Sequence, residues 1–249
     1  MPIIIKSDDE IAIMREAGSI VAQTLQRLVQ ELRPGLVVKE LDKVVRKEFD
    51  RHKVTPTFLG YHGYPATVCV SVNEEIVHGI PGKRVIEDGD VVSLDLGCTH
   101  KGFVADAALT VIVGHAKNGT QKLVDVTRDS LCAGIEQARA GNKLGAISHA
   151  IQTHIESHGF GVVREYVGHG VGRQMHEEPQ VPNFGPADRG PVLKKGMVLA
   201  LEPMVTVGDW RTRQLEDNWT VVTADGSLAA HFEHTIAITD GDPVVLTMP

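Results

Sequence analysis

Residues 91–113, "VVSLDLGCTHKGFVADAALTVIV", contain two apolar runs separated by the turn-forming stretch "THKG". The runs are rich in β-branched residues, a composition that predicts two antiparallel strands. A turn centred between His100 and Lys101 places Asp95 directly opposite Asp106, with Cβ atoms about 4.5–5.5 Å apart. Two like charges in this position destabilise a hairpin unless a cation lies between them. The hairpin therefore predicts an antiparallel sheet with a cation site, although either aspartate alone could point to solvent near a strand end.

Two helices are predicted before this hairpin. Residues 7–35 carry apolar side chains at helical spacing, Ser7 and Glu10 form a capping box, and Pro34-Gly35 ends the helix. A second helix follows, and its apolar face consists of Val38, Leu41, Val45 and Phe49.

The same helical pattern recurs in the second half of the chain. At one constant offset, Arg33-Pro34-Gly35 corresponds to Arg139-Ala140-Gly141, and the second helix corresponds to the apolar series Leu144, Ile147, Ile151 and Ile155. Amphipathic helices resemble one another, so coincidence is the alternative reading. We interpret the pattern as an internal repeat and expect one domain over residues 1–249, with pseudo-repeat halves of roughly 1–115 and 116–249.

Further strands lie between and after the helix pairs. Four more segments are rich in β-branched residues and bounded by Gly, Pro, Asn or Asp, namely residues 66–72, 197–205, 219–226 and 232–239. The predicted fold class is therefore α/β (α+β), with a mainly antiparallel sheet and helices packed on it.

The composition excludes several classes of protein. The 249 residues carry a net charge of −7, which provides no basic surface for nucleic acid or an anionic membrane. No apolar run is long enough to cross a membrane, and "MPIIIKSDDE" turns acidic too early for a secretory signal. Three scattered cysteines form neither a disulfide framework nor a zinc motif, so the cytoplasm is the expected location.

Two more acidic residues interrupt apolar strands, Glu202 in "MVLALEPMV" and Glu233 in "FEHTIAIT". Singly, each could protect a sheet edge against aggregation. Together with Asp95, Asp106 and a histidine, they could hold two divalent metals about 3.5–4 Å apart. This set is rich in oxygen ligands, so it suits Mn²⁺, Fe²⁺ or Co²⁺ and does not resemble a closed structural zinc site.

The histidine comes from "GHGVGRQMHEEP", residues 168–179, where His169 and His176 lie among three glycines. Glycines disfavour a helix, and on a continuous strand the odd separation would direct the two rings to opposite faces. We therefore interpret the two histidines as serving different tasks at one place.

Five stretches, which span most of residues 66–239, together resemble the methionine aminopeptidases, in particular their type I bacterial form. They are "VSVNEEIVHGIP", "LDLGCTHKGFVAD", "YVGHGVGRQMHEEPQVP", "MVLALEPMV" and "EDNWTVVTADGSLAAHFEHTIAIT". The resemblance implies the pita-bread fold, a curved and mainly antiparallel sheet with two pseudo-symmetry-related helix pairs on its outer face.

The resemblance also implies the roles of the metal ligands. Asp95 is a terminal ligand of one metal, Asp106 and Glu233 bridge both, and His169 and Glu202 complete the other. The cofactors implied are two divalent metal ions, with Co, Mn, Fe, Zn and Ni as candidates. Glu202 is further expected to accept a proton from the attacking water.

The remaining site residues are implied to contact the substrate. His78 and His176 face the peptide as catalytic groups, and the methionine pocket is lined by Tyr61, Tyr64, Cys69 and Trp219. Phe58 and Met175 stand where the family commonly has a cysteine and a phenylalanine, so they are expected to alter the shape of the pocket but not its apolar character. For these pocket residues, an ordinary place in the core is the alternative.

The implied function is removal of the initiator methionine from nascent proteins and peptides with a small second residue. We expect a monomer that meets its substrates at the ribosome without binding nucleic acid directly. A proline-directed peptidase and a non-enzymatic peptide-binding protein on the same fold are the alternatives. The family also commonly has polar or glycine neighbours around the bridging aspartate, where this chain has Val104-Ala105 and Ala107-Ala108, which leaves the hydrogen bonding at Asp106 open.

Overall fold

The computed structural model describes residues 2–117 and 119–249. Its helices are α1 (Asp8–Glu31), α2 (Lys39–His52), α3 (Thr120–Gln137) and α4 (Leu144–Ser157), with one 3₁₀ turn at Tyr61–Gly63. None of the helices in these two ranges is both long and apolar enough to cross a membrane.

The described residues also form fifteen strands. Those of the first half are β1 (Thr55–Pro56), β2 (Cys69–Val72), β3 (Glu75–Val77), β4 (Val91–His100) and β5 (Phe103–Ile112). Those of the second half are β6 (Gly161–Val162), β7 (Gly168–Gly170), β8 (Glu177–Val181), β9 (Val198–Leu201), β10 (Met204–Thr206), β11 (Thr212–Gln214), β12 (Val221–Thr223), β13 (Ala229–His231), β14 (Glu233–Ala237) and β15 (Val244–Val245).

The strands form one large sheet and two small ones. The large sheet runs in the order β1-β4-β5-β14-β9-β7-β8, with β2 beside β4 and β15 beside β14. The small sheets are β13-β10-β6 and β11-β12-β3. Every strand pair described is antiparallel, so the predicted sheet type is confirmed.

Helix α1 begins as its sequence predicts. The Ser7 hydroxyl accepts from the backbone N–H of Glu10, and the Glu10 carboxylate accepts from the backbone N–H of Ser7, which completes the capping box. Met14, Val21 and Leu28 form part of the buried face of the helix. This face packs against β4 and β5, so the helix fixes one side of the central hairpin.

The register of the β4–β5 hairpin differs from the prediction. The turn is centred between Lys101 and Gly102, so Asp95 lies opposite Ala108 and Asp106 lies opposite Gly97. Lys101 and Gly102 both have positive φ angles, 48° and 81°, as a tight two-residue hairpin turn requires. Glycine at the second central position adopts a positive φ without steric cost, so it favours this turn over the one centred between His100 and Lys101. The predicted register was wrong for this reason.

The corrected register keeps both aspartates on one face of the sheet. They are now diagonal neighbours, because residues two apart on a strand point to the same side. Leu94, Leu96 and Cys98 alternate with them and pack under the helices. Each strand of the hairpin therefore has one face in the apolar core and one face that carries the acidic residues.

Candidate active site

A cavity of about 500 Å³ opens on the face of the large sheet that lies away from α1. Every site residue predicted from the sequence lines it: Phe58, Tyr61, Tyr64, Cys69, His78, Asp95, Asp106, His169, Met175, His176, Glu202, Trp219 and Glu233. The cavity has an acidic region formed by the central strands and an apolar wall formed by aromatic side chains.

Four carboxylates reach the acidic region from four neighbouring strands. Asp95 lies on β4 and Asp106 on β5, Glu233 begins β14, and Glu202 follows the end of β9. Since β4, β5, β14 and β9 are consecutive in the sheet, these residues of distant sequence position are brought side by side.

Because the four carboxylates are buried, ionising them without a nearby cation costs free energy. Burial raises the pKa of Asp106 to about 7. Burial, reinforced by the charge of Asp106, also raises the pKa values of Asp95, Glu202 and Glu233 well above the ordinary carboxyl range. Four mutually repelling carboxylates in a desolvated site require positive charge to become fully ionised.

Three oxygen atoms of this cluster have no protein partner. Within the described residues, Asp95 Oδ1, Asp106 Oδ1 and Glu233 Oε1 are buried and accept no hydrogen bond. Buried carboxylate oxygens are otherwise almost always paired, with hydrogen-bond donors or with metal. Possible ligand atoms of Asp106, His169 and Glu233 all lie within 4.8 Å of one another.

His169 presents a free nitrogen to this cluster. Burial lowers the pKa of its ring to about 3, so the ring is neutral near pH 7. Nδ1 lies 2.9 Å from the carbonyl oxygen of Gly170, to which it can donate. This bond leaves the lone pair on Nε2, which lies 3.6 Å from Oε1 of Glu202. A neutral imidazole with Nδ1–H bonded to a carbonyl has the form of a metal ligand.

The donor set thus fits divalent metal. Asp95, Asp106, His169, Glu202 and Glu233 supply carboxylate oxygens and one imidazole nitrogen at one place. A bound cation would coordinate the unpartnered carboxylate oxygens and would favour the ionised form of the buried carboxyl groups. The chemistry of the donors is compatible with a dinuclear site and does not select one metal among those expected.

The hydrogen bonding at Asp106, left open by its apolar neighbours, comes from β14. The backbone N–H of Asp106 donates to the Thr235 hydroxyl at 3.1 Å, and that hydroxyl donates to the carbonyl oxygen of Asp106 at 2.7 Å. Ala105 and Ala107 point to the opposite face and pack in the core with α1. Thr235 therefore holds the backbone of Asp106, the Asp106 carboxylate accepts from the backbone N–H of Ala107, and the side chains of Ala105 and Ala107 have a packing role.

The apolar wall is built from the predicted pocket residues. The rings of Tyr64 and Trp219 meet edge to face at 5.0 Å, and Phe58 lies 6.4 Å from Tyr64. The Tyr64 hydroxyl donates to a backbone carbonyl, that of Gly79, at 2.9 Å, so its polar end is satisfied. Met175 is buried in the same cluster. The wall can receive a long unbranched apolar side chain.

Cys69 sits beside this wall and pairs with Asp95 across β2 and β4. Burial and the Asp95 charge raise the pKa of its thiol well above the ordinary value. A thiol held neutral is a poor nucleophile. Cys69 is therefore suited to packing and not to covalent catalysis.

The two other predicted histidines border the cavity between its acidic and apolar parts. The His176 ring lies 4.3 Å from the His169 ring, and its Nδ1 lies 2.7 Å from the Tyr61 hydroxyl. His78 has a left-handed backbone, with φ at 61°, and its ring meets that of Trp219 at 6.2 Å. Burial lowers the pKa of His78 to about 4 and lowers that of His176 too. Both rings are thus neutral near pH 7 and each carries one N–H donor.

Sequence reasoning missed six further lining residues. They are His62, Val167, Gly168, Glu177, Glu178 and Gln180. All lie within four residues of a predicted site residue, so proximity to the quoted motifs was the available clue. Glu177 was the most recognisable, because it is an acidic residue at a buried position of a strand.

Comparison with known proteins gives a consistent result. Residues 12–240 match the sequence profile described as metallopeptidase family M24. Methionine aminopeptidase 1 of Bacillus subtilis (strain 168) is 51% identical over 245 residues, which are 98% of this chain and 99% of that relative.

Solved structures extend the similarity to the fold. The crystal structure of methionine aminopeptidase from Thermotoga maritima matches with a TM-score of 0.98 and 48% identity, covering 100% of both chains. The prolidase from Pyrococcus horikoshii OT3 matches with a TM-score of 0.80 and 24% identity, covering 98% of this chain and 63% of that one. The prolidase likeness concerns the fold alone, and both matches confirm the predicted pita-bread architecture.

Proposed function

Because this chain belongs to metallopeptidase family M24, we propose that it removes the N-terminal methionine from proteins and peptides. The observation that carries the proposal is the identity of 51% to a methionine aminopeptidase over essentially the whole of both chains. The enzyme is a metal-dependent aminopeptidase, and its substrates are the N-terminal segments of other chains.

We assign the metal ligands as predicted. Asp95, Asp106, His169, Glu202 and Glu233 would hold two divalent ions as their ligands. This assignment is supported by the unpartnered oxygens of Asp95, Asp106 and Glu233 and by the free Nε2 of His169. When bound, such ions act as Lewis acids that make water acidic enough to supply a nucleophile at neutral pH.

The chain's own residues supply the proton transfers and the hydrogen bonds. Glu202 lies beside His169 at the acidic region, where it would accept the proton of the attacking water and deliver it to the leaving amine. His78 and His176 line the cavity. There they would donate their single N–H groups to the carbonyl or amide of the scissile peptide. Donors fixed by the fold stabilise the oxyanion as it develops.

Substrate selection follows from the two regions of the cavity. The apolar wall of Phe58, Tyr64, Cys69, Met175 and Trp219 would hold the methionine side chain. The acidic region lies beside this wall, so it would receive the free α-amino group. A peptide bond inside a polypeptide has no free amine to place there, so cleavage inside a chain is not expected. A small second residue is assigned from the family resemblance.

The alternatives receive less support. A proline-directed peptidase would share the ligands, but similarity to prolidases lies at the level of the fold, and this chain covers 63% of the prolidase it matches. A non-enzymatic peptide-binding protein would have no need of the five ligand residues, all of which line the cavity.

The setting of the reaction belongs to the same proposal. We infer a cytoplasmic enzyme that acts as a monomer on nascent chains at the ribosome, with residues 1–249 as one catalytic domain of two pseudo-repeat halves. The low cysteine count and the acidic net charge of −7 agree with this setting.

A panel of peptides tests the proposed activity. The protein, loaded in turn with Mn²⁺, Fe²⁺ and Co²⁺, is incubated with Met-Ala-Ser, norleucine-Ala-Ser, Leu-Ala-Ser and Ala-Pro-Ser. We expect rapid methionine release, partial acceptance of norleucine, and a rate on Leu-Ala-Ser lower by roughly 10–200-fold, the discrimination that an apolar pocket achieves. Equal rates on methionine and leucine peptides would refute the pocket assignment. Cleavage of Ala-Pro-Ser alone would establish the proline-directed alternative.

A further inference from the structure

We propose that the buried ion pair between Lys6 and Glu177 is a positioning device that holds Met175 and His176 at the wall of the cavity. The proposal rests on the proposed function, since it concerns the same site. Neither Lys6 nor Glu177 is among the assigned metal ligands. Both are nevertheless held in the interior, with side chains 3% and 4% exposed.

Glu177 closes the loop that carries the two cavity residues. Its Oε1 atom accepts from the backbone N–H groups of Arg173 and Gln174, at 2.8 and 3.2 Å. One carboxylate therefore ties the beginning of the loop to its end, and Met175 and His176 lie between the tied points. The remaining oxygen, Oε2, lies 2.6 Å from the ammonium nitrogen of Lys6.

Lys6 in turn connects this loop to the body of the protein. Its ammonium group also donates to the carbonyl oxygen of Ile4 at 3.2 Å. Its backbone N–H donates to the carbonyl oxygen of Gly196 at 2.8 Å, and Gly196 is bonded to Ile238 just beyond β14. Lys6 thus connects the loop, through hydrogen bonds, to the segment that follows β14, the strand that carries Glu233.

The space around the pair is filled. A Cβ atom added at Gly172 would lie 2.5 Å from the Lys6 side chain and 2.6 Å from Oε1 of Glu177. Glycine at this position is what allows the two charges to approach beneath the loop. A second tether runs from the carbonyl of Gly172 to the backbone N–H of Val104 at 2.8 Å, so the loop is also fixed to β5.

The consequence for the reaction is geometric. A donor acts on a developing charge only if it is held at the right distance, and displacement by about 1 Å can cost on the order of 100-fold in rate. His176 directly precedes Glu177 in the chain, so its backbone position depends on the same carboxylate. Removing the ion pair is expected to displace His176 while leaving His78 in place, because His78 lies on a separate segment after β3.

The variants are chosen to separate positioning from stability. Lys6→Met removes the ammonium group with little change in shape. Since it leaves Glu177 charged and buried, the double variant Lys6→Met/Glu177→Gln removes both charges and spares the cost of an unpaired ion. Lys43→Met is the matched control, because Lys43 forms an exposed ion pair with Glu40 at 2.9 Å on α2, and neither residue lines the cavity.

Two readouts are made on zinc-loaded protein. The first is kcat and KM on Met-Ala-Ser per folded, metal-containing molecule, with each variant repeated in a His176→Ala background. The second is the NMR signal of the histidine rings, which needs no turnover. We expect kcat to fall roughly 10–100-fold in the pair variants and to change less than about twofold once His176 is absent, since coupled residues are not additive. The His176 ring signals shift and the His78 signals do not.

Either of two results would overturn the proposal. One is a loss of kcat that is equally large with and without His176, which would indicate a general structural role. The other is an unchanged His176 signal in the pair variants. If the wild-type protein does not cleave Met-Ala-Ser, the proposed function fails, and the NMR readout alone decides whether the ion pair positions the loop.

Discussion

The hydroxyl of Tyr61 lies 2.7 Å from Nδ1 of His176, so the phenol and this ring nitrogen share a hydrogen bond. Burial raises the pKa of Tyr61, so the phenol keeps its proton at neutral pH. Burial lowers the pKa of His176, so the ring is neutral and has one acceptor nitrogen. We therefore expect the phenol to donate to Nδ1, which leaves Nε2–H as the donor available to a substrate.

Replacing Tyr61 with phenylalanine tests this relationship. The variant keeps the ring against the cavity and loses the hydroxyl, so the tautomer of His176 is no longer fixed. We expect kcat on Met-Ala-Ser to fall by about threefold to tenfold, the scale of one hydrogen bond, with KM almost unchanged. An unchanged kcat would show that the contact does not serve catalysis.

The two histidines of residues 168–179 should separate by metal content. His169→Ala removes an assigned ligand, so both bound metal and rate should fall. His176→Ala should retain its metal and its melting temperature but lose roughly 10²–10³ in kcat, the scale for one oxyanion donor. Elemental analysis, thermal unfolding and kinetics on both variants check this. Metal loss in the His176 variant, or full retention in the His169 variant, would mean that the two roles are wrongly assigned.

Glu202 is predicted to act as both ligand and proton acceptor. Glu202→Gln keeps the shape of the side chain and one ligand oxygen but cannot accept a proton. We expect kcat to fall by roughly 10²–10⁴, the usual contribution of a positioned acid–base group. Metal content is measured on the same samples so that a rate loss is not confused with a metal loss. Wild-type kcat in a metal-loaded variant would remove Glu202 from the mechanism.

Thr235 is predicted to support the metal site through the backbone of Asp106. Thr235→Val leaves the buried N–H and carbonyl of Asp106 without the hydroxyl, at a cost of about 1–3 kcal/mol in the free energy of unfolding. Metal affinity should weaken as well, since the backbone that carries the ligand loses its support. Thr235→Ser keeps the hydroxyl and is the matched control. Equal stability and affinity in the two variants would show that this support is unimportant.

Features governed by local rules could be predicted from the sequence. The capping box of Ser7 and Glu10 depends only on residues three apart, and the structure confirms it. The acidic residues Asp106 and Glu233 stood out because a carboxylate in an apolar strand is unusual. Four such acids on separate predicted strands, together with the family resemblance, led to the prediction that these residues meet.

Features that depend on turn geometry or on distant partners could not be predicted in the same way. The hairpin register changed because Lys101 and Gly102 adopt the positive φ angles of a tight turn, which "THKG" permits at more than one centre. Thr235 and Lys6 looked like ordinary polar residues. Their importance comes from partners far away in the chain, and no periodic pattern reports such contacts.

Methionine release without metal tests the central claim most directly. The protein is dialysed exhaustively against EDTA, its metal content is determined by elemental analysis, and release of methionine from Met-Ala-Ser is measured before and after adding Mn²⁺, Fe²⁺ or Co²⁺. We predict no release from the metal-free protein and recovery as the content approaches about two ions per chain, as a dinuclear site requires. Full turnover by a sample shown to contain no metal would contradict the assignment of the cluster as the catalytic metal centre.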